Sequence, residues 1–251
     1  MTVLLLRLAG PLQSWGSAAR FARRSTENAP TKSGVLGLLA AAQGRPRDAD
    51  LSDLAALRFG VRIDQPGSRL RDFHTAHHAD SGKAMPLSER FYLADAVFVA
   101  GVEGDAELLR DLHQALLAPR FLPYLGRRSC PPSKPMEMGP PLEKTSLEDA
   151  LRAAEWQASP WYLRQLGRTA KSGEDPGPES LDVLLDCPPD KTPHLSLRDT
   201  PITFDPRHRQ YGLRGVRTER VSAPPPHDPT AALRPADPPT SATAESSPRT
   251  P

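Results

Sequence analysis

The stretch TVLLLRLAGP, residues 2–11, joins a run of aliphatic side chains to a turn signal of alanine, glycine and proline. A short apolar run that ends in this way is typical of a buried β-strand. Further along, Pro30 precedes an apolar stripe with helical spacing, and Gly44 ends that stripe. Proline is common at helix starts and glycine at helix ends, so this pattern predicts a helix. The N-terminal part of the chain is therefore predicted to form a strand followed by a helix.

Further strands and a second helix follow in the sequence. Residues 57–63, LRFGVRI, alternate apolar and polar side chains, which is typical of a half-buried strand. Residues 91–102 resume strand character, and Asp105 precedes apolar residues at helical spacing up to Pro119. With residues 121–125 as the last strand, the order is βαββαβ. This order predicts an α+β, ferredoxin-like (RRM-like) domain with both helices on one sheet face and the other face free for a ligand.

The remaining segments divide the chain into three parts. The ferredoxin-like domain is expected over residues 1–130, with an insertion at about residues 64–90 that lacks a sustained period and predicts a projecting hairpin. Residues 131–221 predict a small C-terminal β-rich domain with a minor sheet. Residues 222–251 are rich in proline, serine and threonine, and a disordered tail is expected because they cannot bury enough apolar surface to fold.

The net charge of +2 conceals an uneven distribution of basic residues. Residues 1–24 and 119–136 contain basic side chains and no acidic one, and residues 205–220 have more basic than acidic side chains. Basic blocks of this kind indicate a localised anionic partner, with RNA or DNA the commonest. The alternative is a solvated surface, since arginine-rich faces also occur without a ligand.

Composition and patterning exclude several classes of protein. The sequence has no run of about 18 uncharged apolar residues, so no membrane-spanning helix is expected. Arg7 interrupts the apolar start, which is too short for the core of a signal peptide, and a cytoplasmic protein is predicted. Cys130 and Cys187 have no zinc-ligand spacing and are expected to be reduced thiols. The sequence carries no fingerprint of a cofactor or a resident metal.

Two segments contain residues suited to binding an anion. At the predicted helix start, Lys32 and Ser33 accompany free backbone N–H groups, an arrangement that can seat a phosphate; alternatively, the glycines of this segment only permit close helix packing. In the second segment, Tyr124 precedes Arg127 and Arg128 in a predicted turn. An aromatic ring beside guanidinium groups is the combination that binds unpaired nucleotides.

Four separated motifs together form a recognisable pattern. They are LRLAGPLQSWG at residues 6–16, PTKSGVLGLL at 30–39, RDFHT at 71–75 and YLGRRSCP at 124–131. With these motifs in this order, over about residues 1–220, the chain resembles CRISPR-associated protein family five, within the repeat-associated mysterious protein superfamily. The resemblance is to the members found in Cascade, the type I-E CRISPR surveillance complex.

The resemblance implies a fold and a role. Such proteins have a ferredoxin-like domain with a hairpin thumb, here residues 64–90, and a small C-terminal β-rich domain. They hold the 5′ handle of the CRISPR RNA, cap the filament of backbone subunits, and contact the large subunit, so that the complex can recognise target DNA. The positions that match for RNA contact are Gln13, Trp15, Lys32, Ser33, Arg71, His74, Tyr124, Arg127 and Arg128.

An alternative interpretation is a metal-independent endoribonuclease that processes CRISPR precursor RNA. Superfamily relatives cleave RNA with histidine, tyrosine or lysine as proton donor and acceptor. The candidate residues here are His74, His77, His78, Lys83 and Tyr92. An exposed histidine-rich loop needs no catalytic role, however, and the resemblance implies that a separate subunit processes the RNA. We therefore expect a non-catalytic protein, and no metal site at these histidines because no carboxylate pair completes one.

Overall fold

The computed structural model describes residues 1–17, 23–172, 180–205 and 207–223. The predicted disordered tail, residues 222–251, lies outside these ranges from residue 224 onward. Within the described residues, no helix is both long and apolar enough to cross a membrane.

The described residues form short helices and mostly antiparallel strands. In chain order these are β1 (Thr2–Ala9), β2 (Leu12–Gln13), β3 (Arg23–Arg24), α1 (Lys32–Gln43), α2 (Ser52–Ala55), β4 (Arg58–Gln65), β5 (Ser68–His74), β6 (Ser88–Ala94), β7 (Val97–Gly104), α3 (Ala106–Leu117), β8 (Leu142–Glu143), α4 (Leu147–Ala153), α5 (Pro160–Ser172), β9 (Ser180–Asp186), β10 (Leu195–Thr203) and β11 (Gln210–Ser222).

One seven-stranded sheet contains both the N-terminal and the C-terminal strands. Its order is β10-β11-β9-β4-β7-β1-β8, and every neighbouring pair is antiparallel. The prediction of a separate minor sheet is wrong, because β9 pairs with β4 from Gly60 opposite Leu185 to Arg62 opposite Val183. The backbone hydrogen bonds of one sheet thus run across the predicted domain boundary at residue 130.

The second sheet is built around the hairpin of β5 and β6. β5 pairs with one side of β6, from Ser68 opposite Ala94 to His74 opposite Ser88, while β2 and β3 pair with the other side. A hairpin is therefore present where the sequence predicted one.

Two predicted strands differ from the structure. The expected strand over residues 91–102 is divided between β6 and β7, because the backbone of Asp95 has a φ of 56° and turns the chain from one sheet into the other. Residues 121–125 form no strand, since they follow Pro119 and include Pro123. The short strand β8 instead pairs with the edge of β1.

Both faces of the large sheet are covered. On β1, Leu4 and Leu6 pack in the core beneath α1 and α3, whereas Leu5 packs in a second core with Leu147 and Leu151 of α4. The prediction of one free sheet face is therefore wrong. The uninterrupted aliphatic run of β1 explains this result, because a strand that is apolar on both faces needs cover on both.

The strand β4 was predicted to be half-buried, but Arg62 on its expected polar face is also buried. Its side chain is fully buried and forms two hydrogen bonds with the carboxylate of Asp64, at 2.7 and 2.9 Å. The guanidinium also donates to the carbonyl oxygens of Leu151, Ala154 and Glu155, which fastens the end of α4 to the sheet. Burial raises the pKa of Asp64, an effect that the hydrogen bonds from Arg62 oppose.

Substitution of Arg62 tests this attachment. We expect Arg62→Ala to lower the free energy of unfolding by about 3–5 kcal/mol, because Asp64 would remain buried without its cation. Urea denaturation followed by circular dichroism measures the change. As a control, Arg110→Ala removes an exposed pair with Glu143, at 3.8 Å, and should change the free energy of unfolding by less than about 1 kcal/mol. Equal losses in the two variants would contradict the role assigned to Arg62.

Candidate nucleic-acid interface

A cleft of about 1200 Å³ lies along the outer face of α1, and we call it the arginine cleft. Besides α1 and the loop after it, the walls come from residues 14–16 and 24–25, the turn at residues 120–128, and the connection between β10 and β11. Seven arginines line it: Arg24, Arg45, Arg47, Arg120, Arg127, Arg128 and Arg209. No aspartate or glutamate among the described residues lines this cleft.

Only some of the arginines in the three basic blocks of the sequence line this cleft. Each of the three blocks contributes, through Arg24, the arginines of the 120–128 turn, and Arg209. In the third block, however, Arg214 and Arg217 are paired with carboxylates of the protein itself. Charge patterning thus predicted a cationic site, but not which arginines remain available to a ligand.

The turn at residues 120–128 brings three predicted contact residues to the cleft: Tyr124, Arg127 and Arg128. Leu125 is fully buried, and its backbone carbonyl accepts a hydrogen bond from the backbone N–H of Ser14 at 3.1 Å. Gly126 follows with a φ of 85°. This anchoring leaves Tyr124 half-buried and Arg128 exposed, and both line the cleft; their contact with RNA stays a prediction.

Arg127 is held in place from two sides. Its guanidinium carbon lies 4.7 Å from the centroid of the Tyr92 ring, and Nη2 donates to the carbonyl oxygen of Arg24 at 2.9 Å. Nη1 is shielded and has no hydrogen-bond partner within the described structure. A phosphate oxygen in the cleft is the type of acceptor that would satisfy such a donor.

Gln13 and Trp15 are fully buried; Trp15 is part of the cleft wall, and Gln13 lies behind it. The Gln13 amide donates to the carbonyls of Leu8 and Ala96, at 3.0 and 2.7 Å, and its oxygen accepts from Trp15 Nε1 at 3.0 Å. Both side chains therefore have a packing role within the protein, and their contact with RNA stays a prediction. Their polar atoms are satisfied within the protein, so they shape the wall of the cleft.

Lys32 also points away from the cleft. Its ammonium lies 3.1 Å from Asp186, and its backbone N–H donates to Asp199 at 2.8 Å. Arg214 bonds to both carboxylates, at 2.7 to 2.8 Å. We call these four residues the buried charge network. The predicted phosphate seat at the start of α1 is thus occupied by a carboxylate of the protein, although Ser33 does line the cleft.

Arg71 and His74 are not brought to the cleft. They lie on the β5–β6 hairpin, where Arg71 pairs with Glu89 at 3.5 Å and His74 with Asp72 at 2.7 Å. Neither residue is among those that line the arginine cleft. The predicted RNA contacts therefore divide into three groups: cleft residues, buried supports and hairpin residues.

The candidate nuclease residues are not arranged as one site. His77 donates to the carbonyl of Gly82 at 3.0 Å within the hairpin tip, where Lys83 is exposed. Tyr92 is buried under Arg127. Ser88 is the strand partner of His74, and Tyr92 lies four residues beyond Ser88. This spacing separates Tyr92 from the position of His74 by roughly 13 Å along the strand. Within the described ranges, no group of three or more His, Cys, Asp or Glu side chains could hold a metal ion.

Several residues that line the cleft were not among the predicted RNA contacts; they include Arg45, Arg47, Arg120, Arg209, Phe204 and Tyr211. The basic blocks contain Arg120 and Arg209, and that signal could have identified both. Arg45 is partly neutralised by Asp53, and its hydrogen bond lowers the pKa of that carboxyl group. Nothing in the local sequence distinguishes the two aromatic residues from ordinary strand residues.

Comparisons with known proteins agree with the motifs. A family model described as CRISPR-associated protein (Cas_Cas5) matches residues 3–217. The CRISPR system Cascade subunit CasD of Escherichia coli (strain K12) is 40% identical over an alignment that covers 54% of this chain and 70% of that protein.

Two solved structures resemble the fold closely. One, described as a crystal structure of a Cas protein, has 38% identity and a TM-score of 0.66, covering 88% of this chain and 97% of that one. The other, a chain of a CRISPR RNA-guided surveillance complex, has 31% identity and a TM-score of 0.69, covering 89% and 91%.

Gly126 offers a test of how the 120–128 turn is anchored. A Cβ atom at this residue would lie 1.7 Å from the carbonyl oxygen of Ser14, so Gly126→Ala must displace the turn. Gly139 is a matched control, because it also has a positive φ, of 103°, but has open space around it. We expect Gly139→Ala to cost about 1–2 kcal/mol from backbone conformation alone and Gly126→Ala to cost more. Thermal unfolding measures both, and similar losses would refute the anchoring contact.

Proposed function

The chain belongs to the CRISPR-associated Cas5 family, and from this premise we propose that it is a non-catalytic subunit of a type I-E Cascade surveillance complex that binds the 5′ handle of the CRISPR RNA. The arginine cleft is the observation that carries the proposal. It combines seven guanidinium groups with aromatic side chains and has no lining carboxylate among the described residues.

The chemistry of the cleft suits a single strand of RNA. Arginine side chains bind phosphates, and Tyr124 offers a face on which an unpaired base can stack. The volume of about 1200 Å³ exceeds the roughly 300–1,000 Å³ that is usual for small-molecule pockets. A segment of a flexible polyanion is therefore a better fit than a small metabolite.

The sheet architecture supports a ferredoxin-like core with an unusual binding surface. Strands β8, β1, β7 and β4 are adjacent in that order, with α1 and α3 on one face. Many proteins of this fold bind RNA on the open face of the sheet. Here α4 covers that face, so we propose that RNA binds beside α1 instead. Strands β9–β11 would correspond to the small C-terminal β-rich part.

The β5–β6 hairpin is the proposed thumb, which lies over the guide near the junction of handle and spacer. Phe73, Met85 and Leu87 are exposed on it or at its tip, which suits contact with another molecule. In this arrangement Arg71 and His74 contact RNA outside the cleft. The subunit would cap the backbone filament and contact the large subunit, so that it reaches target DNA through the complex in the cytoplasm.

The first test concerns the phosphate contacts. We expect Arg127→Ala with Arg128→Ala to weaken binding of a single-stranded handle RNA to the full chain. The dependence of log K on log salt concentration should become shallower by about 0.7 for each lost contact. Fluorescence anisotropy across a salt series measures both effects, and co-purification with the other subunits measures assembly.

A matched double variant controls for the loss of two charges. Arg110→Ala with Arg152→Ala removes exposed arginines outside the cleft and should keep the affinity and the salt slope of the wild type. If the cleft variant retains RNA and assembles as well as this control, the cleft is not the handle site.

The second test concerns RNA cleavage. The histidines of the hairpin form local hydrogen bonds, and Tyr92 is buried at a distance from them, so we expect no cleavage by this chain. Purified protein incubated with repeat RNA in EDTA should give no site-specific product on a denaturing gel. A product that disappears in His74→Ala would establish the endoribonuclease instead.

A further inference from the structure

Two aromatic residues of the C-terminal strands line the arginine cleft and have no part in the proposal above. Phe204 directly follows β10, and Tyr211 is the second residue of β11. Their ring centroids are 6.3 Å apart, and the ring planes are inclined by 53°. Both rings are half-buried, so part of each remains open to the cleft.

We propose that Phe204 and Tyr211 form a second stacking site, which holds one unpaired base of the RNA in the arginine cleft. This inference rests on the proposed function and extends it to the C-terminal strands. Exposed Arg209 lines the cleft beside them and would bind a phosphate of the same segment. A flat ring next to a guanidinium is the arrangement with which proteins hold single-stranded nucleic acid.

The Phe204 ring packs beside α1 at Gly37. Gly37 lines the cleft, and a Cβ atom there would lie 3.5 Å from two ring carbons of Phe204. That distance is ordinary van der Waals contact, so this part of the ring packs closely against α1. The base is therefore expected on the part of the ring that faces the cleft and not between the ring and α1.

The buried charge network fixes the position of these rings relative to α1. Asp199 of β10 accepts hydrogen bonds from the backbone N–H of Lys32 and from Arg214 of β11, and Asp186 of β9 binds both cations. The four side chains carry two positive and two negative charges and are largely withdrawn from solvent. The wall that carries the aromatic pair is therefore rigidly attached, as a preorganised stacking site requires.

Binding of RNAs with single abasic positions to the full chain tests the proposal. A single-stranded handle RNA is synthesised with one base removed at each position in turn, and its affinity is measured by fluorescence anisotropy. We expect Tyr211→Leu, which removes the ring and keeps an apolar side chain, to weaken binding of the intact RNA by roughly 5- to 150-fold. It should also lose the response to one particular abasic position, while the responses to the others persist.

Further variants separate stacking from general damage to the fold. Tyr211→Phe keeps the ring and should retain the response at that position, whereas Phe204→Leu should lose it as Tyr211→Leu does. Leu213→Ala is a control on the same strand, because Leu213 is exposed and does not line the cleft. The salt slope should be unchanged in the Tyr211 variants, since no phosphate contact is removed.

The outcomes distinguish this inference from the proposed function. If the Arg127 and Arg128 variants lose RNA while Tyr211→Leu binds like the wild type, or still responds to every abasic position, the second stacking site is refuted and the handle site stands. Retained RNA affinity together with lost co-purification of another subunit would identify the rings as a protein contact and overturn the inference. If neither set of variants affects RNA binding, both proposals fail.

Discussion

The carboxylate of Asp199 is the contact on which the cleft depends. It satisfies the backbone N–H at the start of α1 and the guanidinium of Arg214 at once, with no exposed surface of its own. An anion at a helix N-terminus is stabilised by the helix dipole, so the protein fills this position itself. The helix α1 and the strands β10 and β11 are thereby held together, and the proposed phosphate contacts lie instead on arginines of the surrounding loops.

Sequence reasoning succeeded where the determining interactions are local. The aliphatic run of β1 and the helix that ends at Gly44 were predicted from short patterns, and both are present. A hairpin was predicted at about residues 64–90 from the lack of a sustained period, and β5 and β6 form one over residues 68–94. Sequence reasoning failed where contacts between distant segments determine the structure. The pairing of β9 with β4 and the packing of α4 on β1 join residues more than 120 positions apart, which no local period encodes. The turn at Asp95 likewise depends on a contact with Pro11.

The predicted binding residues also divide into local and long-range cases. The family motifs pointed to Tyr124, Arg127 and Arg128, which line the cleft, because a turn with a ring and two cations carries its chemistry in a few consecutive residues. Gln13 and Lys32 belong to the same motifs, yet they are supports, since a polar side chain that satisfies a buried carbonyl or carboxylate looks in sequence like one that awaits a ligand.

The contrast between the buried charge network and the arginine cleft bears on how the proposed RNA binding would affect folding. In the network each cation has a carboxylate, so the charges cancel and the packing persists without a ligand. The cleft gathers like charges with no lining acid among the described residues, and their mutual repulsion opposes the compact state. Under the proposed function, a polyanion that binds only the folded chain would reduce that repulsion and stabilise the fold by mass action. Folding of the chain and the proposed capture of a guide RNA would then be linked through the same side chains.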